Sequence, residues 1–313
     1  MIIVFGSINM DLVATVKSIV RPGETVLARD YRTFFGGKGA NQAIAAGRAA
    51  PNGMKVTFAG AVGQDEYGKL CTANLNENGV SAQVSTVLGS PTGVAFISVD
   101  DSGENAITVV SGANSRISAR QVSDDMLSLS KVVVLQMESP FAQSSDVAAR
   151  ARQRGCRVLW NLAPVGPELD IDSLKLLLAR TDFFVVNESE AHQAAVLLKQ
   201  ESADSRETAR MIAETYNLVC VVTLGGDGIW AAVPGGTSIE MRPPPTEVID
   251  TTGAGDTFCG VLASGIAEGL HLEQCLERAV AAASLSCTSL GAQSSMPHRV
   301  SIDAAAAAAR VSR

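Results

Sequence analysis

Asp250-Thr251-Thr252-Gly253-Ala254-Gly255-Asp256-Thr257-Phe258 sets a glycine-rich turn directly before an apolar, helix-like run that reaches Leu270. A turn without bulky side chains lets consecutive backbone N–H groups converge, and the start of a helix adds partial positive charge. Together they make a site for an anion, above all a phosphate. Asp256 stands on the same turn, and a carboxylate beside an anion cradle is unfavourable unless it takes up a proton. Its simplest use is as a general base toward a hydroxyl that attacks the phosphate, so the stretch points to phosphoryl transfer. The alternative is that Asp256-Thr257 only caps the helix.

Outward from this stretch, short apolar runs alternate with helix-like segments. Strands are expected at 2–6, 56–59, 132–137, 157–160, 183–186, 219–224 and 229–233. These runs lack polar alternation, which argues burial on both faces, as in a parallel sheet covered by helices. Helices are expected at 40–50, 66–77, 119–129, 140–154 and 207–216. The clearest stripe is Leu272, Cys275, Leu276, Ala279 and Val280, at helical spacing. Alternation of the two element types gives an α/β fold with ligands at the carboxyl ends of the strands. Two regions depart from it, residues 12–35 and 92–111. The second places Val94, Phe96 and Ser98 before the turn Asp100-Asp101-Ser102-Gly103, then Ala106, Ile107 and Val109, a hairpin pattern. Together the two regions are expected to form a small separate sheet, used as a lid, as an oligomer contact, or as both. The alanine tract 304–309 is expected to lie in a terminal helix.

Composition removes several classes of function. The chain has 313 residues, 46% hydrophobic and 18% charged, enough for one large α/β domain with an appendage. Net charge is −7 with no basic stripe, so nucleic acid is not an expected partner. The six cysteines are scattered, without zinc-like spacing, and suit a reducing cytosol. His192, His271 and His298 lie far apart, which argues against histidine-based catalysis or metal binding. The first strand is too short for a signal sequence, and no apolar run reaches the roughly 20 residues of a membrane span. A cytoplasmic protein with no membrane partner is expected.

Four further constellations carry polar groups. Phe35-Gly36-Gly37-Lys38-Gly39-Ala40-Asn41-Gln42 lets a ligand approach the backbone and puts Lys38 and Asn41 near a helix start; a tight turn with a solvated lysine is the alternative. It is not the phosphate loop of ordinary nucleotide hydrolases. Gly6-Ser7-Ile8-Asn9-Met10-Asp11 ends the first strand with an amide and a carboxylate on one side. That pair suits a polyhydroxylated ligand, or a turn held by its own side chains. In Val186-Asn187-Glu188-Ser189-Glu190, Asn187 and Glu190 either hold Mg²⁺ through water or cap a helix. Thr223-Leu224-Gly225-Gly226-Asp227-Gly228 either admits a nucleotide against the backbone or turns the chain into the next strand.

In this order, these motifs resemble those of the ribokinase family of ATP-dependent carbohydrate and nucleoside kinases, from about residue 2 to about residue 302. The Gly6–Asp11 and Gly36–Gln42 segments are similar to the family's first signature, and Asp250–Phe258 to its second. The resemblance implies a three-layer α/β/α sandwich with a mostly parallel central sheet and a small β-sheet lid, forming one catalytic domain over 1–313. The implied reaction moves the γ-phosphate of ATP to the 5-hydroxyl of D-ribose. Deoxyribose, a ketose or a nucleoside are the alternative acceptors, and a non-catalytic sugar-binding protein is a more distant rival.

The same resemblance implies roles for residues. Asp256 would be the base, and Gly253, Ala254 and Gly255 the anion hole. Asn9, Asp11, Gly37, Lys38, Asn41 and Glu138 would hold the sugar together with Asp256. Asn187, Thr223, Gly225, Gly228, Gly255 and Val280 would hold the nucleotide, and Glu190 would act on Mg²⁺ indirectly. A monovalent cation, K⁺, would lie by Asp250, Thr252, Ser286, Ser289, Gly291 and Ser295. Apart from the resemblance, a homodimer through the lid is expected, because an exposed apolar β face seeks a partner. One departure is Trp160-Asn161-Leu162-Ala163-Pro164, where many relatives read Asn-Pro-Ala-Pro; Leu162 removes no catalytic group.

Overall fold

Ile2–Phe5 shows how the sequence builds the core. All four side chains are buried; Ile2 and Val4 enter one hydrophobic cluster, Ile3 and Phe5 the other. A strand that alternates between two cores needs a cover on each face, and helices supply both. The structure, a computed structural model, describes residues 1–200 and 204–311, and the strands, helices and contacts are those of the described residues.

In chain order the strands are β1 (Ile2–Phe5), β2 (Asn9–Thr15), β3 (Asp30–Gly36), β4 (Val56–Gly63), β5 (Val80–Val87), β6 (Gly93–Val99) and β7 (Asn105–Val110). They continue as β8 (Val132–Leu135), β9 (Arg157–Asn161), β10 (Phe183–Asn187), β11 (Val219–Thr223), β12 (Ile229–Val233) and β13 (Thr237–Met241). Nine of them form one sheet in the order β13-β12-β11-β10-β9-β8-β1-β4-β5. From β5 to β11 every pairing is parallel, and β12 and β13 are added antiparallel. Because β1 sits between β4 and β8, successive connections leave it in opposite directions. This opens a crevice at the carboxyl ends of β1 and β8, where α/β sheets bind ligands.

The small sheet has the order β3-β2-β6-β7, with β2 and β6 parallel and the outer pairs antiparallel. The expected hairpin is β6 and β7. Residues 16–29, inside the first lid region, hold no strand, so only the ends of that region join the sheet. On this sheet Tyr31, Phe96, Ile107 and Val109 are exposed.

Some elements differ from expectation. The helix expected over 119–129 is a short 3-10 turn, Ala119–Gln121, and a separate helix, Asp124–Leu129. The break falls at Ser123, whose side chain accepts from the Met126 N–H and restarts the helix. Strands β5 and β13 were not expected, because Val-Ser-Ala-Gln-Val-Ser-Thr-Val and Thr-Ser-Ile-Glu-Met are polar edge strands without an apolar run. The alanine tract does lie in a terminal helix, Arg299–Val311. No described helix is long and apolar enough to cross a membrane.

Two helices carry the site. Lys38–Ala49 and Ala254–Glu268 pack closely on one face of the large sheet. Gly260 permits this: a Cβ there would lie 2.4 Å from the Gln42 carbonyl oxygen and 2.6 Å from the Ala45 Cβ. Without a side chain at 260 the helices approach until their first turns touch.

Candidate active site

Asp256 lies not on the glycine turn, where the sequence suggested it, but within the first turn of the helix Ala254–Glu268. Gly253, at φ +76°, is the residue before it. The correction is physical: a left-handed residue lets the chain enter the helix at once, so Ala254 and Gly255 are already helical. The site keeps its character, since the first-turn N–H groups of a helix have no partners within it. Asp256 is buried and accepts two amide hydrogen bonds, from Asn41 Nδ2 to Oδ2 and from Gln42 Nε2 to Oδ1, both 2.9 Å.

Around this carboxylate the structure gathers Asp11, Lys38 and Glu138. Burial pushes the Asp256 carboxyl up, against the Lys38 charge and the two amide donors, and the balance leaves it raised. Burial, with Glu138 and Asp256, raises Asp11 to about 7, against the pull of Lys38. Burial also opposes the charge on Lys38, yet Asp256, Glu138 and Glu190 together hold its ammonium above the ordinary lysine range. One buried cation thus serves several carboxylates. Glu138 is fixed by Ser7 Oγ at 2.5 Å and by the Lys38 backbone N–H at 3.1 Å, which joins the first strand's end to the glycine loop. Asn9 is buried and accepts from Asn114 Nδ2 at 2.8 Å. Thus Asn9, Asp11, Gly37, Lys38, Asn41, Glu138 and Asp256 come together from separate elements. A cavity of about 380 Å³ opens beside Ser7, Asn9 and Glu138.

Several residues that sequence reasoning missed belong here. Gln42, fully buried, donates also to Asn161 Oδ1 and accepts from Gln136 Nε2. Gln293 Nε2 donates to Asn41 Oδ1 at 2.8 Å. Gln42 was quoted within a motif but given no role. Gln136 and Gln293 likewise stand in motif-bearing segments without a role of their own, because a glutamine's task depends on a partner up to 252 positions away.

On the other side of the helix start lies a second cavity, of about 480 Å³. Thr223, Gly225, Gly228, Ala254, Gly255 and Val280 all line it, with Phe258 and Pro244 among the apolar walls. The expected nucleotide residues therefore share one cleft, except Asn187, which does not line it. Asn187 and Glu190 form a capping box: each side chain accepts the other's backbone N–H at 2.8 Å. The capping alternative is the observed geometry. Burial, with the Asp256 charge, still raises Glu190, against its Asn187 hydrogen bond and Lys38.

Asp250 ties two loops together. Its Oδ1 accepts from the Thr252 N–H and hydroxyl, and its Oδ2 from the Gly291 N–H at 2.8 Å. Despite burial, these donors keep Asp250 below the usual carboxylate range. The Ser286 and Ser295 hydroxyls donate to carbonyls of Ala283 and Ala292, and Ser289 is exposed. Asp250 is the charged oxygen donor among these residues, and both its oxygens are already engaged by Thr252 and Gly291. No described cluster of three His, Cys, Asp or Glu is arranged to hold a metal ion.

Comparison with known proteins fits this geometry. The family model for pfkB family carbohydrate kinases matches residues 1–299. A ribokinase of Haemophilus influenzae is 35% identical over 302 residues, which covers 95% of each chain. The crystal structure of ribokinase from Thermotoga maritima superposes with a TM-score of 0.87 at 31% identity, over 97% of this chain and 98% of that one. The structure of Arabidopsis thaliana ribokinase complexed with ribose and ATP superposes with a TM-score of 0.85, also at 31% identity, with the same coverage.

Proposed function

The chain belongs to the pfkB family of carbohydrate kinases, and on that premise we propose that it uses ATP to phosphorylate D-ribose at the 5-hydroxyl. The observation that carries this reading is the position of Asp256. It stands in the first turn of a helix whose start lines the 480 Å³ cleft, and it faces a buried polar group of Asn, Asp, Lys and Glu.

The chemistry follows from that placement. ATP occupies the cleft lined by Thr223, Gly225, Gly228, Gly255 and Val280, with Asn187 at its rim. Ribose lies among Asn9, Asp11, Gly37, Lys38, Asn41 and Glu138, its 5-hydroxyl toward Asp256. Asp256 removes the hydroxyl proton as the oxygen attacks the γ-phosphorus, and ADP departs with the electrons of the broken P–O bond. The N–H groups of Gly253, Ala254 and Gly255 stabilise the charge on the transferring group, which is the larger contribution. Lys38 offsets the repulsion between Asp256 and the incoming phosphate. Mg²⁺ would enter with the nucleotide, influenced by Glu190, and would neutralise phosphate charge. K⁺ would sit by Asp250, Thr252, Ser286, Ser289, Gly291 and Ser295 and would steady the anion-binding turn.

The chain acts as one catalytic domain over 1–313, with the small sheet as a lid that excludes water. The exposed apolar side chains of the lid support a homodimer through it. Six free cysteines support a cytoplasmic location.

The test is ADP release with MgATP and D-ribose, with and without K⁺, against 2-deoxyribose, fructose and adenosine. Ribose turnover that rises with K⁺ is the expected result. Turnover confined to another acceptor would overturn the substrate, and no turnover with any acceptor would overturn the kinase reading.

A further inference from the structure

We infer that Gln293 is a positioning residue for Asp256, and that Arg48 fixes the direction of an amide relay running through it. The inference rests on Asp256 serving as the base in the proposed reaction. An amide side chain presents an acceptor on one side and donors on the other, so its orientation is set by its neighbours. A guanidinium can only donate. Arg48 Nε and Nη2 both donate to Asn78 Oδ1, at 3.1 and 2.6 Å, so Asn78 must turn its Nδ2 inward. That Nδ2 donates to the Asn74 carbonyl at 2.8 Å and to Asn74 Oδ1 at 3.2 Å, and Asn74 Nδ2 donates to Gln293 Oε1 at 2.7 Å. Gln293 Nε2 donates to Asn41 Oδ1 at 2.8 Å, which leaves Asn41 Nδ2 to face Asp256. Every link points the same way, and reversal of one would oppose oxygen to oxygen at the next.

The other side of Asp256 is anchored by the backbone. Asn161 Nδ2 donates to the Val185 carbonyl, so its Oδ1 accepts from Gln42 and turns that donor toward Asp256. Both carboxylate oxygens thus receive an N–H whose direction is decided elsewhere. Arg48 also holds the Gln293 and Met296 carbonyls, each at 2.7 Å, so it fixes the backbone that carries the relay's central amide. The proposed reaction gives Arg48, Asn74, Asn78 and Gln293 no other task.

Two variants test the relay from a distance. Gln293→Met keeps length and removes the link. Asn78→Asp keeps the Arg48 contact but has no donor for the Asn74 carbonyl or Asn74 Oδ1, so inversion of Asn74, Gln293 and Asn41 restores a donor to it and sets Asn41 Oδ1 against Asp256. Loss of a hydrogen bond to a charged group predicts a kcat about tenfold lower, with the KM for MgATP unchanged. The acid limb of kcat/KM should rise by about one pH unit, since a carboxylate that loses a donor protonates more readily. Lys38, Asp11, Glu138, Glu190 and Cys259 also act electrostatically with Asp256, and neither variant alters them. In the double variant, Asn78→Asp should add nothing to Gln293→Met; an additive effect would mean charge acting through space and would overturn the relay. Carbon-13 titration of the Asp256 carboxyl, assigned with Asp256→Asn, reads the same shift without substrate. An inactive wild type would therefore sink the kinase reading alone. Titration curves of folded Gln293→Met that superimpose on the wild type would overturn the relay.

Discussion

Asp256→Asn changes one oxygen for an NH₂ group and touches every part of the site. The wild-type carboxylate accepts from Asn41 Nδ2 and Gln42 Nε2, both at 2.9 Å and both held in that orientation by further partners. An asparagine at 256 must turn its own donor toward one of them. One buried N–H then loses its partner, at a cost of about 1–3 kcal/mol. Part of this is offset, because a buried carboxylate raised by desolvation is no longer present. Stability should therefore change by no more than about 2 kcal/mol, with the fold retained. Catalysis should fall much further. A general base contributes at least about 100-fold, or about 2.7 kcal/mol of barrier. The assay is steady-state ADP release at saturating MgATP and ribose, with ribose affinity measured by titration calorimetry. A kcat within tenfold of wild type, in a variant that still binds ribose, would refute Asp256 as the base.

Lys38→Met should move the acid limb of the pH–rate profile upward. Lys38 lowers the Asp256 carboxyl, so its removal raises that group and extends the protonated, inactive form to higher pH; an unchanged limb would contradict this. Asp11, raised to about 7 in the folded protein, costs stability as pH rises from the unfolded value near 4 toward 7. Asp11→Asn should accordingly be the more stable form to urea at pH 8 and lose that advantage below pH 4. Gly260→Ala should destabilise by about 1–3 kcal/mol, although alanine favours helices, because its Cβ meets the Gln42 carbonyl oxygen at 2.4 Å. Urea unfolding at neutral pH measures it, and a gain in stability would refute the packing argument. Ile107→Asp, on the exposed lid face, should break the proposed homodimer, read by sedimentation of both forms; a wild type that sediments as a monomer would refute the lid contact.

Local sequence signals sufficed for the fold class and for naming many of the residues that the structure gathers around Asp256. Apolar runs such as Val132–Leu135, set between helix-like segments, read as strands buried on both faces of a parallel sheet, and the glycine turn before Asp256 reads as an anion site or a helix cap. These signals are local, so a linear reading finds them. Tertiary structure decided whatever depends on direction and distance. Asp256 entered the helix because Gly253 adopts a left-handed conformation, and Gly260 brought Gln42 against it, which neither residue type declares alone. Asn187 and Glu190 allowed two readings by spacing, and only backbone geometry selected the capping box. Gln293 and Arg48 carried no role of their own in the sequence, because an amide acquires its direction from whichever partner the fold sets beside it.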